Sequence, residues 1–313
     1  MINNNAGFCI DRVVTKVFIR TMKSLVEIIR KKSYPMDPLP TGVSPRLNHL
    51  GAIKAVIFDV YGTLFASGCG DISLVSSQNQ NPAIWESLEE SGFKIKNRDC
   101  EPWSLFLKAI SETKAELKHF GTEFPEVDIR EIWSEVLMEL FSTEAIEANW
   151  DAKTLAKLAV CFECKVNPIW AMPNAQKLIR TIFDRKLPIG IVSNAQFFTP
   201  LLFDALFRDS YPNLGFSEDI CVWSYEKRMV KPSLDLFKPL CKNLEDIGIA
   251  AHEIAFVGND MLNDIWAAKQ SGLKTVLFAG DQRSLRWRKD DPRCQSVVPN
   301  AVITDLQQLL DII

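Results

Sequence analysis

Four apolar residues in a row, Ala55-Val56-Ile57-Phe58, run straight into an aspartate and a turn. A strand apolar at every position must be covered on both faces, and such strands belong to parallel sheets. Short apolar runs of the same kind return at Pro188–Val192, Ile220–Trp223, Ile254–Val257, Lys274–Phe278 and Val302–Ile303. Between and after them lie segments of helical spacing: Pro173–Arg185, with proline in its first turn, Pro200–Phe207, Ser233–Leu244, Met261–Gln270 and Asp305–Leu310. Strand and helix in alternation predict an α/β fold, a parallel sheet with helices on both faces.

The alternation is broken once. From about 79 to 165 the apolar residues keep helical spacing, with no strand between them: Ile84, Trp85 and Leu88; Leu105, Leu107, Ile110 and Leu117; Ile129, Trp133, Val136, Leu137 and Leu140; Leu155, Leu158 and Ala159. Four amphipathic helices in succession predict a small bundle. Ligands of parallel sheets sit at the carboxyl ends of the strands, so a bundle inserted after the first strand hangs over that site. The expected organisation is an N-terminal helix and Pro-rich linker over 1–50, a Rossmann-like core over 51–67 and 169–313, and an all-helical cap over 68–168.

The first of these carries Arg12, Lys16, Arg20, Lys23, Arg30, Lys31 and Lys32 among Val13, Val17, Phe18, Leu25, Ile28 and Ile29. A basic amphipathic helix of this kind lies on a membrane, acts as a transit sequence or packs on its own protein. Glu27 and the prolines at 35, 38 and 40 favour packing, so membrane contact is not expected. A net charge of -3 gives no basic excess to attract nucleic acid, and a small-molecule substrate is expected instead. Eight scattered cysteines in 313 residues read as reduced thiols of a cytoplasmic protein, and three histidines without ligand spacing give no zinc site. Cys161 and Cys164, in a helical run, read as packing residues, as do Trp85, Trp103 and Trp133.

Polar residues collect where strands end. Asp59 follows the first strand, in Phe58-Asp59-Val60-Tyr61-Gly62-Thr63-Leu64-Phe65. Ser193 and Asn194 follow the strand that ends at Val192, and Lys231 stands in Val230-Lys231-Pro232-Ser233 before a helix. Asp260 and Asp264 follow Val257, in Gly258-Asn259-Asp260-Met261-Leu262-Asn263-Asp264.

An aspartate, a serine, a lysine and an acidic turn in this order resemble the motifs of the haloacid dehalogenase-like superfamily over about 55–280, most specifically in FDVYGTLF and GNDMLND. The 134 positions from Asp59 to Ser193 leave room for the cap found at that point in one branch of the superfamily. The resemblance implies a hydrolase with Asp59 as covalent nucleophile. Lys231 can hold that carboxylate ionised by its charge. Ser193 and Thr63 suit hydrogen bonding to a substrate oxygen or developing anion, and Gly62 permits the tight turn. Asn194 and Tyr61 complete the expected substrate contacts. Mg²⁺ is the expected cofactor, held by Asp59, residue 61, Asp260 and Asp264, with Asp264 as a ligand or as the group that orients Lys231 or the metal's water. Spacing allows Asn259 or Asp260 at the first acidic position; a carboxylate suits Mg²⁺ better, which favours Asp260.

Two departures bear on the chemistry. Phosphatases of the superfamily carry an aspartate two residues after the nucleophile as general acid, and here it is Tyr61, with an ordinary pKa near 10. The YGTL form is similar to that of 2-haloacid dehalogenases, whose halide needs no proton. Their cap arginine has no counterpart here, however, and the tyrosine after their Lys-Pro is replaced by Phe237. The sequence therefore leaves three readings: a Mg²⁺-dependent hydrolase of a phosphorylated or activated small molecule, a metal-independent dehalogenase-like enzyme, and a non-catalytic binding protein.

Overall fold

The computed structural model describes residues 21–68, 79–147 and 150–313. Residues 12–20 of the basic amphipathic segment lie outside these.

Six parallel strands form the central sheet: β1 (Ala55–Phe58), β4 (Ile189–Ser193), β5 (Phe216–Trp223), β6 (Ile254–Gly258), β7 (Lys274–Phe278) and β8 (Ala301–Ile303). Their order is β5-β4-β1-β6-β7-β8. β2 (Phe65–Ser67) and β3 (Ile169–Ala171) make a separate antiparallel pair. Side chains alternate across a strand, and β1 divides its four accordingly. Val56 and Phe58 join one apolar cluster, Ala55 and Ile57 another on the opposite face. Helix α6 (Ala175–Asp184) contributes Leu178, Ile179 and Ile182 to the first. Helix α8 (Lys238–Asp246) contributes Leu240 and Leu244 to the second. Both faces are thus covered, as strands without polar positions require.

The predicted helix over Ser233–Leu244 is split into a short turn, Leu234–Leu236, and α8. Pro239 explains the restart: it lacks an N–H and fits only the first turn of a helix. Residues Met261–Trp266 form a π-helical turn that runs on into α9 (Ala267–Gln270).

Between β2 and β3 stand α2 (Asn81–Ser91), α3 (Pro102–His119), α4 (Ile129–Ser142) and α5 (Ala152–Val166). Asp128 and Asp151 cap α4 and α5 by accepting from Arg130 N and Thr154 N. α2 packs on α5 and α3 on α4. The two short strands tie the ends of this helical segment together at the carboxyl end of β1.

Helix α1, residues 21–32, packs on the body through buried Leu25 and Ile29. Arg30 Nη2 donates to the Asp204 carbonyl at 3.0 Å, and Lys32 pairs with Glu90 at 2.6 Å. The Pro-rich stretch after it runs extended along the β8 edge. Leu39 O accepts from Gln282 N at 2.9 Å, and Arg46 exchanges backbone bonds with Val302. Among the described residues no helix is long and apolar enough to cross a membrane.

Candidate active site

The carboxyl ends of β1, β4 and β6 converge, because β1 lies between the other two. Asp59 leaves β1 with its N–H donating to Val257 O at 2.9 Å, which fixes the direction of its side chain. The chain then turns sharply, with Thr63, Leu64 and Phe65 N–H groups all donating to Val60 O. Gly62 adopts φ +81°, and a Cβ there would stand 2.5 Å from Ser284 Cβ and 2.7 Å from Asn259 Nδ2. Both the conformation and the space demand glycine.

Lys231 is buried between two carboxylates. Its Nζ donates to Asp59 Oδ1 at 2.7 Å and to Asp264 Oδ1 at 2.6 Å. Its backbone N–H donates to Asn194 Oδ1 at 2.8 Å, which ties the lysine loop to the end of β4. Burial alone would lower the Lys231 pKa; Asp264 and Asp59 outweigh it and hold the ammonium above its usual range. Burial raises the Asp264 carboxyl, against the attraction of Lys231, and Asp59 and Asp260 add to the rise. Asp264 Oδ2 also accepts from the N–H groups of Asn259 and Asp260, each at 2.9 Å. Gly258 leaves room for it, since a Cβ there would lie 2.4 Å from Asp264 Cγ.

The hydroxyls stand where the strand ends place them. Ser193 Oγ lies 3.3 Å from Asp59 Oδ1, and Thr63 Oγ1 lies 3.4 Å from Asp59 Oδ2. Thr63 Oγ1 also donates to Asn259 Oδ1 at 3.1 Å. Asn259 Nδ2 is taken up by Ser284 O at 2.6 Å, so the amide turns its oxygen toward Thr63.

Asp260 is held by other partners. Its carboxylate caps the π-helical turn through Leu262 N and Asn263 N, and pairs with Arg288 at 2.6 Å. Among the described residues no three His, Cys, Asp or Glu side chains are grouped to hold a metal ion. The oxygens that share Thr63 are one carboxylate and one amide, those of Asp59 and Asn259.

Tyr61 donates to or accepts from Thr199 Oγ1 at 2.9 Å. Burial, and then the nearby Glu163 carboxylate, push its pKa well above the usual 10. A phenol so disposed is a poor proton donor near neutral pH.

Asp59, Tyr61, Asn194, Lys231, Asn259, Asp260 and Asp264 all border one cavity of about 560 Å³ that reaches up between α3, α4 and α5. Three cap-side groups there escaped the sequence reading. Glu163, on α5, is buried, its pKa raised to about 7 by burial against a hydrogen bond from Asn167 Nδ2 at 2.9 Å. Asn167 in turn accepts from Ser67 Oγ at 2.7 Å, which links α5 to β2. Glu126 accepts from Ser224 Oγ at 2.8 Å. Gln196 holds the same segment through Val127 O and Ile129 N, at 2.8 and 2.9 Å. The available signal was a charged residue in an apolar helical run, as at Glu163 within Val160-Cys161-Phe162-Glu163. Nothing local marks which partner such a residue meets.

The chain is similar to several known proteins. The human phospholysine phosphohistidine inorganic pyrophosphate phosphatase is 20% identical over 281 residues, covering 87% of this chain and 98% of that protein. A 2-haloacid dehalogenase of Pseudomonas syringae pv. tomato DC3000 superposes with a TM-score of 0.51 at 18% identity, over 83% of this chain and 97% of that one, and shows the shared fold. A putative hydrolase of Bacillus subtilis bound to magnesium superposes with a TM-score of 0.44 at 16% identity, over 83% and 98% of the two chains. Residues 53–272 match the family model of the haloacid dehalogenase-like hydrolases. By that match this chain, with its parallel sheet and its lysine between the carboxylates of Asp59 and Asp264, belongs to the haloacid dehalogenase-like hydrolase family.

Proposed function

We propose that the enzyme hydrolyses activated small molecules, first of all phosphoryl compounds with a good leaving group, through a covalent intermediate on Asp59. The observation that carries this reading is the 2.7 Å pair of Lys231 and Asp59 at the floor of the cavity. A carboxylate is a weak nucleophile unless it is aimed and kept charged. The backbone bond to Val257 aims Asp59, and the Lys231 ammonium holds it by a charge-assisted hydrogen bond.

In the first step an Asp59 oxygen forms a bond to phosphorus, and the bond to the leaving group breaks with its electron pair going to that group. Ser193 and Thr63, whose hydroxyls lie 3.3 and 3.4 Å from the Asp59 oxygens, would donate to oxygens of the transferring group as its charge redistributes. In the second step a water oxygen takes the phosphoryl group, releasing Asp59 and a proton. Tyr61 supplies no proton to the leaving group, so substrates that need none from the enzyme are favoured: anhydrides and aryl esters, whose leaving groups depart as stable anions, and phosphoramidates already protonated on nitrogen by solvent. The matched phosphatase, named for phosphorylated lysine, phosphohistidine and pyrophosphate, fits such a preference.

Magnesium commonly keeps several waters and is held by one or two carboxylates and the substrate's phosphate. Asp59 and the Asn259 amide oxygen, both bound to Thr63, fit that modest demand, while Asp260 is occupied by Arg288. Bound there, the ion would neutralise charge on the phosphoryl oxygens. The six described cysteines are all free thiols, which supports the cytoplasm as its place of action.

One observation favours a second reading. With a tyrosine at 61 and a single carboxylate at the Thr63 position, displacement of halide from carbon needs neither acid nor metal. Assays with acetyl phosphate and 4-nitrophenyl phosphate, and with 2-chloropropionate in the presence of chelator, separate the two. Phosphate release stimulated by Mg²⁺ supports the first reading. Halide release that survives chelation, without phosphatase activity, overturns it in favour of the second.

A further inference from the structure

The cavity above Asp59 is larger and more apolar than the reacting group alone requires. Its volume of about 560 Å³ falls among cavities that hold whole organic ligands. One face of α3 lines it with Trp103, Phe106, Leu107 and Ile110, spaced as a helix brings side chains to one side. Trp133 on α4 and Phe162 on α5 close the ring-lined part. The Phe106 ring lies 4.7 Å from Trp133 and 5.5 Å from Phe162, and Trp133 meets Phe162 edge-on at 5.1 Å. Lys114, Glu126 and Glu163 are the charged groups on this side.

Trp133 adds a second observation. It is fully buried, and its indole N–H has no hydrogen-bond partner among the described residues. The nitrogen itself is closed off, so Trp133 meets the cavity through its ring and not through its N–H.

We propose that the substrate carries an aromatic body, which fills the ring-lined half of the cavity while its anionic reacting group meets Asp59. This rests on the reading of Asp59 as the reacting residue. Rings packed edge to face accept another ring at low cost, and a body of that size removes both apolar surfaces from water.

The test uses the full-length chain with Asp59→Asn, so that binding is read without turnover. Calorimetry compares 1-naphthyl phosphate with glycerol 3-phosphate, which share a head group. Naphthyl phosphate is expected to bind about ten-fold tighter or better. Adding Leu107→Gln or Ile110→Gln, both half-buried on α3 and compatible with a helix, should erase most of that preference and leave glycerol phosphate unchanged. Equal affinities, or a preference untouched by both variants, overturn the proposal. The two readings fail separately. A wild-type enzyme that hydrolyses no phosphate ester, beside a variant that keeps the preference, removes the chemistry and leaves the aromatic substrate class. Hydrolysis of both esters, beside equal binding, does the reverse.

Discussion

Arg288 takes the carboxylate of Asp260 with Nε at 3.0 Å and Nη2 at 2.6 Å from Oδ2, and so leaves the position beside Thr63 and Asp59 to Asn259. Of two adjacent residues in the same turn, the charged one caps that turn and pairs with Arg288, and the neutral one shares Thr63 with Asp59.

Asn259→Asp should therefore tighten Mg²⁺ binding, because it places a second carboxylate next to Asp59. Asp260→Asn should leave Mg²⁺ binding unchanged and cost about 1–2 kcal/mol of stability through the lost cap and ion pair. Magnesium titration by calorimetry and urea unfolding read the two effects. Loss of Mg²⁺ binding in Asp260→Asn would return the metal position to Asp260.

Lys231→Met leaves Asp59 and Asp264 buried without their shared cation. Removing one partner of such a group costs roughly 3–5 kcal/mol. Turnover should fall at least about 100-fold. Adding Asp264→Asn should recover part of the stability and none of the activity. Urea unfolding of the single and double variants checks this, and a double variant no more stable than the single one contradicts it.

Tyr61→Phe breaks the 2.9 Å bond to Thr199. The expected cost is about 0.5–1.5 kcal/mol in stability, with turnover of aryl phosphates within about three-fold of wild type, because the phenol is no proton donor. A loss of about 100-fold or more in kcat, the scale of a missing general acid, would make Tyr61 the acid after all.

Glu163 titrates at about 7 in the fold, against 4.5 for an ordinary glutamate, with Asn167, Tyr61 and Cys164 around it. The folded chain thus holds this proton more tightly than the unfolded chain. Its contribution to stability is complete below about pH 4.5 and is lost as pH rises through about 7. Between those limits the loss should reach roughly 2–3 kcal/mol. Glu163→Gln should be free of this slope, as unfolding near pH 5 and near pH 8 will read. Parallel pH profiles for wild type and variant would contradict it.

The sheet was legible because most of its strands are apolar on both faces; β1 could be read from four residues, whereas the polar first half of β5, Ser217 to Asp219, escaped. β2 and β3 were not, being three residues each, too short for any periodicity to mark. The grouping of Asp59 and Ser193 followed from strand ends, since a parallel sheet brings its carboxyl ends to one edge, while Lys231, in the loop after β5, was joined to them by the order of the motifs. The choice between Asn259 and Asp260 did not, because it depends on Arg288, 28 positions further on, and on Ser284. Trp85, Trp103 and Trp133 look alike in sequence as helical apolar residues. Only the packing of α3 on α4 sets Trp103 and Trp133 against the cavity and leaves Trp85 on α2 away from it.

The central claim is the covalent role of Asp59, and acid quenching during turnover of acetyl phosphate followed by peptide mass mapping tests it most directly. The account predicts a phosphoryl group on the peptide that contains Asp59, absent from Asp59→Asn, which should be inactive. An adduct on any other residue, or turnover that persists in Asp59→Asn, would contradict it.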